Sequence, residues 1–210
     1  VYAPIDTRFY HPRPPVNIVV LPNAANEAHA LRALLETLDC VVTVHWTGTP
    51  MDFLTVLGQG DTAPRYLLIA GHGDAEEGYW LDEYADFIDT SMLRGEHLPA
   101  DAIEPVVNLP GCTVISTACG GGSEAMGRAF TSNGKINAYI GCRIEPHGAA
   151  MQVFVVNFFF NVLHKKLSDR DAWQKAMLAT DHPQIYHMSL YHADGVEERF
   201  QESEPQRAQG

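Results

Sequence analysis

The chain has 210 residues, 46% of them hydrophobic and 19% charged, which suits one domain with a sizeable core and excludes a largely disordered polypeptide. Fourteen Lys and Arg stand against 26 Asp and Glu, a formal net charge of -12. Non-specific binding to nucleic acid or to an anionic membrane is therefore a poor expectation, and a cationic partner or substrate is a better one.

The four cysteines, Cys40, Cys112, Cys119 and Cys142, are too few for a disulfide scaffold, and no pair has Cys-x-x-Cys spacing. Reduced, mostly buried thiols in a cytoplasmic setting are expected. No charged segment followed by an apolar one marks a signal peptide, and the opening on Val1 rather than Met leaves room for an upstream segment.

Prolines at 4, 12, 14 and 15 predict an irregular segment over residues 1–16. A strand is expected at Asn17–Leu21, followed by a helix with Ala28, Leu31, Leu35 and Leu38 on one face. A second strand at Val41–Val44, a short helix at Met51–Leu57 and a third strand at Arg65–Ala70 follow, the last running into Gly71-His72-Gly73-Asp74. From Asp74 to about Leu109 the pattern has no strong period; Tyr79–Leu81 suggests part of a hairpin and Ala102–Val107 a short helix. Cys112–Ala118 reads as a fourth strand ending at Cys119 and three glycines, with a helix over Ser123–Phe130 and a fifth strand at Ile136–Cys142. Gly148–Leu167 predicts a long core helix with Asn157, Asn161 and His164 on its wet side, too short in its apolar stretch for a bilayer. Asp169–Thr180 predicts a further helix, and the chain from 194 to 210 a polar, acidic, frayed tail.

Strands alternate with helices, and the strands are continuous apolar runs, as when both faces of a parallel sheet are covered. The expected fold is a single α/β domain over residues 17–193: a three-layer sandwich, mainly parallel sheet with helices on both faces. Chemistry in such sheets collects beyond the carboxyl ends of the strands. Two such ends stand out, His72-Gly73 and Cys119-Gly120, 47 residues apart.

A cysteine attacks as a thiolate and needs exposure with a base or positive field beside it. Taken alone, a strand-terminal cysteine is more often a small core residue, and a histidine before glycine a turn residue. Together, on one sheet edge, they offer a nucleophile at Cys119, a proton carrier at His72 and backbone amides for an oxyanion. Gly120–Gly122 lacks a following Lys-Ser/Thr pair, so nucleotide binding is discounted. His182, His187 and His192 recur every five residues, a spacing that does not stack on a helix face, and no metal or other cofactor is expected.

The block Leu67–Gly73 followed by Val114–Gly121 resembles the His-Gly and Ala-Cys blocks of the caspase-like (clan CD) cysteine peptidases, whose members include caspases, metacaspases, gingipains, clostripain, separase and the CHAT-domain peptidases. In caspases the histidine lies about 50 residues before the cysteine. The pattern, extended through Ile140–Arg143, Gly148 and the long helix, is closest to CHAT domains and covers about residues 17–180. The caspase signature Gln-Ala-Cys-Arg-Gly is replaced by Thr117-Ala118-Cys119-Gly120-Gly121, so a preference for aspartate is not implied. The resemblance implies a cysteine endopeptidase with Cys119 as nucleophile, His72 as proton-transfer partner, and the amides of Gly73 and Cys119 as the oxyanion site. A polypeptide substrate follows from it, and an accessory domain or partner protein for regulation is compatible with it.

Strand alternation puts Thr117 beside the cleft. The resemblance gives that position and the segment after the fifth strand to the primary specificity pocket. Glu145 is then a candidate acidic floor, with Asp74, Glu76 and Glu77 as further carboxylates, and cleavage after Arg or Lys is expected; each of these carboxylates is otherwise an ordinary solvated acid. Two other readings compete. One is a catalytically silent caspase-like interaction module. The other is an amidotransferase-like or DJ-1-like cysteine hydrolase using His147, 28 residues after Cys119, although Thr117 stands where that elbow usually has glycine.

Overall fold

The structure, a computed structural model, describes residues 13–200. Its strands are β1 (Pro15–Val20), β2 (Val41–Trp46), β3 (Tyr66–Ala70), β4 (Gly73–Asp74), β5 (Gly78–Trp80), β6 (His97–Leu98), β7 (Thr113–Ser116), β8 (Ala138–Cys142), β9 (Met188–His192) and β10 (Glu197–Arg199). Its α-helices are α1 (Ala25–Thr37), α2 (Pro50–Leu57), α3 (Ala100–Ile103), α4 (Glu124–Thr131), α5 (Gly148–Leu163) and α6 (Asp169–Thr180).

Seven strands form one sheet in the order β10-β9-β8-β7-β3-β1-β2. The run from β2 to β8 is parallel; β9 is antiparallel to both β8 and β10. A small antiparallel sheet, β4-β5-β6, follows β3 and contains the anticipated hairpin.

The period of two sorts the side chains of each strand between two cores. From β3, Tyr66, Leu68 and Ala70 pack with α1, α5 and α6 through residues such as Leu31, Phe158 and Trp173. Leu67 and Ile69 face the other way, toward Phe53 and Leu57 of α2, Ile103 of α3 and Phe130 of α4. Every residue of β3 is buried, which explains its unbroken apolar sequence. The result is the three-layer α/β architecture expected from the sequence.

Several boundaries differ from the sequence reading. The sheet starts at Pro15, inside the segment read as irregular, because Pro15 occupies the first position of a strand, where its missing N–H is tolerated; the remainder of that segment up to residue 12 lies outside the described residues. At the other end, β9 and β10 carry the sheet past residue 193 into the segment read as a frayed tail, whose part from 201 on also lies outside the described residues. Strand β10 is Glu-Glu-Arg and has no apolar alternation to announce it. Ladder bonds to β9 hold it, together with Arg170, which donates to both Glu198 carboxylate oxygens at 2.6 and 2.7 Å. The long helix α5 stops at Leu163. Its Asn161 is buried rather than wet, donating to the Asn157 carbonyl at 2.8 Å, while Asn157 reaches Thr180 of α6; the stripe faces a helix, and only His164 faces water. Among the described residues no helix is long and apolar enough to cross a membrane.

One polar hub sits at the amino ends of the central strands. Asp169, in the first turn of α6, accepts from Thr113 Oγ1 (2.5 Å), Tyr66 Oη (2.9 Å) and Asn137 Nδ2 (3.0 Å), with Arg65 at 3.5 Å. Removing this acceptor leaves two buried donors, Tyr66 and Thr113, unpaired, each costing about 1–3 kcal/mol. Asp169→Ala is expected to destabilise the fold by at least about 2 kcal/mol in urea unfolding; a loss below about 1 kcal/mol would show that water replaces the carboxylate.

Candidate functional site

The strand order reverses at β1. The chain goes from β1 outward to β2, then returns across β1 to β3, so α1 and α2 leave on opposite faces and open a crevice at the carboxyl ends of β1 and β3. Four segments meet at that edge: the β1–α1 turn leading to Glu27, the turn after β3 with His72 and Gly73, the turn after β7 with Cys119, and the segment after β8 with Glu145.

Strand β7 lies directly beside β3, with Ile69 opposite Ser116, and the Thr117 N–H continues the ladder to the Ile69 carbonyl at 3.0 Å. The turns beyond the two strands are therefore in backbone contact. A Cβ at Gly73 would stand 3.0 Å from the Cys119 carbonyl oxygen, and one at Gly120 would stand 2.2 Å from the Ala75 nitrogen. Gly120 also has φ +65°, so glycine is required there on two counts. Its N–H donates to the Ile144 carbonyl at 3.1 Å, tying the turn to the segment that carries Glu145.

His72 is exposed, its ring 6.1 Å from that of Trp80 in an edge-on arrangement. Trp80 N–H donates to the His72 carbonyl at 3.1 Å, which makes His72 and Trp80 a bonded pair and Gly73 and Tyr79 the intervening non-bonded pair. The Gly73 N–H consequently points away from β5.

Cys119 is half-buried; the other three cysteines are buried. Burial pushes the thiols of Cys40 and Cys142 up to about 11 and that of Cys112 up to about 12. Partial burial also raises the Cys119 thiol, and the carboxylates of Glu145, Glu27 and Asp74 raise it further; its own backbone N–H opposes them.

Glu27 escaped the sequence reading. It lies in the first turn of α1, half-buried beside the Thr117 hydroxyl and within the field of His72. Desolvation raises its carboxyl above the ordinary range, and the Thr117 hydroxyl and the field of His72 pull it back. The Thr117 hydroxyl itself donates to the Ile69 carbonyl at 3.1 Å. Glu145 and Asp74 are exposed. The Asp74 carboxylate accepts from the N–H groups of Glu76 (2.7 Å) and Glu77 (3.1 Å), which hold it below the usual carboxylate range. Glu77 is paired with His97 at 3.1 Å, and Glu76 is exposed.

The alternative elbow geometry is not found. Cys119 does not have the positive φ of a strained nucleophile elbow, and α4 begins only at Glu124. His147 precedes α5, its N–H bonded to Gln184 Oε1 at 2.9 Å and its ring 6.1 Å from that of His182. Among the described residues no group of three or more His, Cys, Asp or Glu is placed to hold a metal ion.

No protein-family model and no curated protein sequence matches this chain. Solved structures do. The crystal structure of the Arg-specific cysteine proteinase gingipain R is similar over 86% of this chain and 46% of that one, at 11% identity and a TM-score of 0.54. A secreted C11 cysteine protease from Bacteroides thetaiotaomicron, iotapain, is similar over 87% of this chain and 67% of that one, at 12% identity and a TM-score of 0.48. The chain thus spans under half of gingipain R, and the likeness is one of fold: a mainly parallel seven-stranded sheet with helices on both faces.

Partial burial, and after it the surrounding carboxylates, raise the titration of Cys119. Alkylation of Cys119 by iodoacetamide, followed by peptide mass spectrometry, is expected to keep accelerating through about pH 8.5, the ordinary thiol value. Glu145→Gln removes the carboxylate that acts most strongly on the thiol, favours the thiolate, and should shift the labelling profile to lower pH. A plateau already reached below pH 7 would mean that a cation dominates the thiol instead.

Proposed function

We propose that this chain is a cysteine endopeptidase that cleaves after Arg or Lys through Cys119 and His72. The observation that carries this reading is the backbone contact between the His72-Gly73-Asp74 and Cys119-Gly120 turns, which brings the one half-exposed thiol to the histidine-bearing strand end. The Cys119 thiol passes its proton to His72 as the sulfur attacks the scissile carbonyl carbon, and the oxyanion is received by the N–H groups of Gly73 and Cys119. His72 delivers a proton to the leaving amine as the C–N bond breaks, leaving a thioester on Cys119. Water, deprotonated by His72, attacks the thioester and releases the new carboxylate and the thiol.

The basic preference rests on the carboxylates. Glu145, Asp74, Glu76 and Glu77 are the candidates legible in the sequence; Glu27 has the best claim to the pocket floor, because it is half-buried beside Thr117. A carboxylate in that position is costly without a cation, and a guanidinium or ammonium supplies one. Glu145 and Asp74 form the exposed rim. Gingipain R carries Arg specificity in its name, which agrees with this reading, but the likeness to it concerns the fold. The same cation offsets the negative field that holds the thiol up, so recognition and activation coincide at one site.

A positional-scanning peptide library is expected to show Arg or Lys before the scissile bond, with Cys119→Ala inactive. Glu27→Gln should lower kcat/KM on basic substrates at least about 30-fold, the cost of removing one partner of a buried charge pair, while iodoacetamide still labels Cys119, its profile moving only to lower pH as in Glu145→Gln. A preference for aspartate or a large apolar residue would overturn the specificity and leave the Cys–His chemistry intact. Failure to cleave any peptide, with no preferential labelling of Cys119, would favour the silent interaction module.

A further inference from the structure

The glycine turn behind Cys119 has no side chains of its own to fix it, yet two of its carbonyls are gripped from the core. Tyr139 of β8 donates to the Gly121 carbonyl at 2.5 Å, and Tyr191 of β9 donates to the Gly122 carbonyl at 3.0 Å. The Tyr139 oxygen also lies 2.8 Å from the hydroxyl of Tyr79. A carbonyl only accepts, so the Tyr139 proton is committed to Gly121 and the direction of the chain is settled: Tyr79 donates to Tyr139, and Tyr139 to Gly121. Tyr79 sits in β5 opposite Gly73. Both rings are fully buried and held by neighbours: Tyr139 stacks on Phe130 of α4 at 4.3 Å, and Tyr79 meets Phe53 of α2 edge-on at 5.5 Å. Burial also keeps both phenols protonated through the neutral range, with Tyr79 pushed up to about 12.

We propose that the Tyr79 and Tyr139 hydroxyls are a positioning strut that fixes the Gly73 strand relative to the turn carrying Cys119, and so sets the spacing of the two amides that receive the oxyanion. This inference rests on the peptidase reading above. A strut of this kind acts on the tetrahedral state and not on simple access to the sulfur. Misplacing reacting groups by about 1 Å costs on the order of 100-fold, and losing one oxyanion donor costs about 100- to 1000-fold.

The test compares Tyr139→Phe, Tyr79→Phe and the double variant with wild type. Tyr66→Phe is the control, because it removes an equally buried hydroxyl at the far end of β3, where Tyr66 bonds Asp169. Tyr139→Phe is expected to lower kcat on a basic peptide substrate by about 10- to 100-fold with KM within about 3-fold. It should weaken inhibition by a peptidyl argininal, which forms a tetrahedral adduct, by a similar factor, while iodoacetamide alkylation of Cys119 stays within about 2-fold. Because the two hydroxyls share one bond while Tyr79 also has Ser116 as a partner, the double variant should lose less than the product of the two single losses. Tyr66→Phe should lose thermal stability and keep kcat. If Tyr139→Phe does not fold, Tyr79→Phe carries the same comparison. An unchanged kcat in folded Tyr139→Phe or Tyr79→Phe overturns the strut and leaves the peptidase reading standing, as does an equal loss of kcat in Tyr66→Phe. A wild-type protein that neither cleaves peptides nor binds the aldehyde overturns both.

Discussion

Two turns that touch through backbone alone govern everything built at the carboxyl edge of this sheet. A side chain at Gly120 would drive a carbon to 2.2 Å from the Ala75 nitrogen, and one at Gly73 would press on the Cys119 carbonyl. Contact this close requires neighbouring parallel strands whose ladder runs up to the turns, which β3 and β7 provide through Ile69, Ser116 and Thr117. It also requires the turns to be held from behind, since glycine brings conformational freedom as well as space. The Gly120 bond to Ile144, the Gly122 bond to the Cys142 carbonyl at 2.7 Å and the two tyrosine hydroxyls do that. The cores on both faces of the sheet thus serve one local demand, the fixed juxtaposition of two flexible segments.

Electrostatics pull in the opposite direction from what a nucleophile needs. Partial burial and three carboxylates all disfavour the Cys119 thiolate, and desolvation likewise makes the Glu27 carboxylate reluctant to ionise. An empty site of this kind holds its sulfur as a thiol. Under the proposed specificity, a bound basic side chain supplies the missing positive charge to Glu27 and Cys119 together. The overall charge of -12 favours the approach of such substrates over long range.

What the sequence could disclose depended on how local each signal was. His72 and Cys119 were legible because each ends an uninterrupted apolar strand and precedes glycine, a pattern confined to a few residues. The three-layer fold was legible from the same runs together with the helical periodicity between them. Glu27 was not, because a lone carboxylate in the first turn of an amphipathic helix looks like any favourable helix start; it reaches the site only because β1 pairs with β3. Better use of that strand order would have found it, since the turn after β1 must open on the same edge as His72. Strand β10 was hidden by its composition, and the wet stripe assigned to α5 was misread because Asn157 bonds Thr180 of the neighbouring α6 and Asn161 is buried, bonding back to the Asn157 carbonyl.

The Asp169 hub joins partners 104, 103, 56 and 32 positions away along the chain, all at the end of the sheet opposite Cys119. Its acceptor therefore reaches a growing polypeptide last. Until residue 169 has emerged, Tyr66 and Thr113 sit at the amino ends of the central strands with no internal acceptor, and the β3–β7 pair is held chiefly by its ladder and its apolar faces. Loop-closure entropy over such separations must be met before the bonds are gained. The turns after β3 and β7 are thus encoded ahead of the residue that locks the opposite ends of their strands.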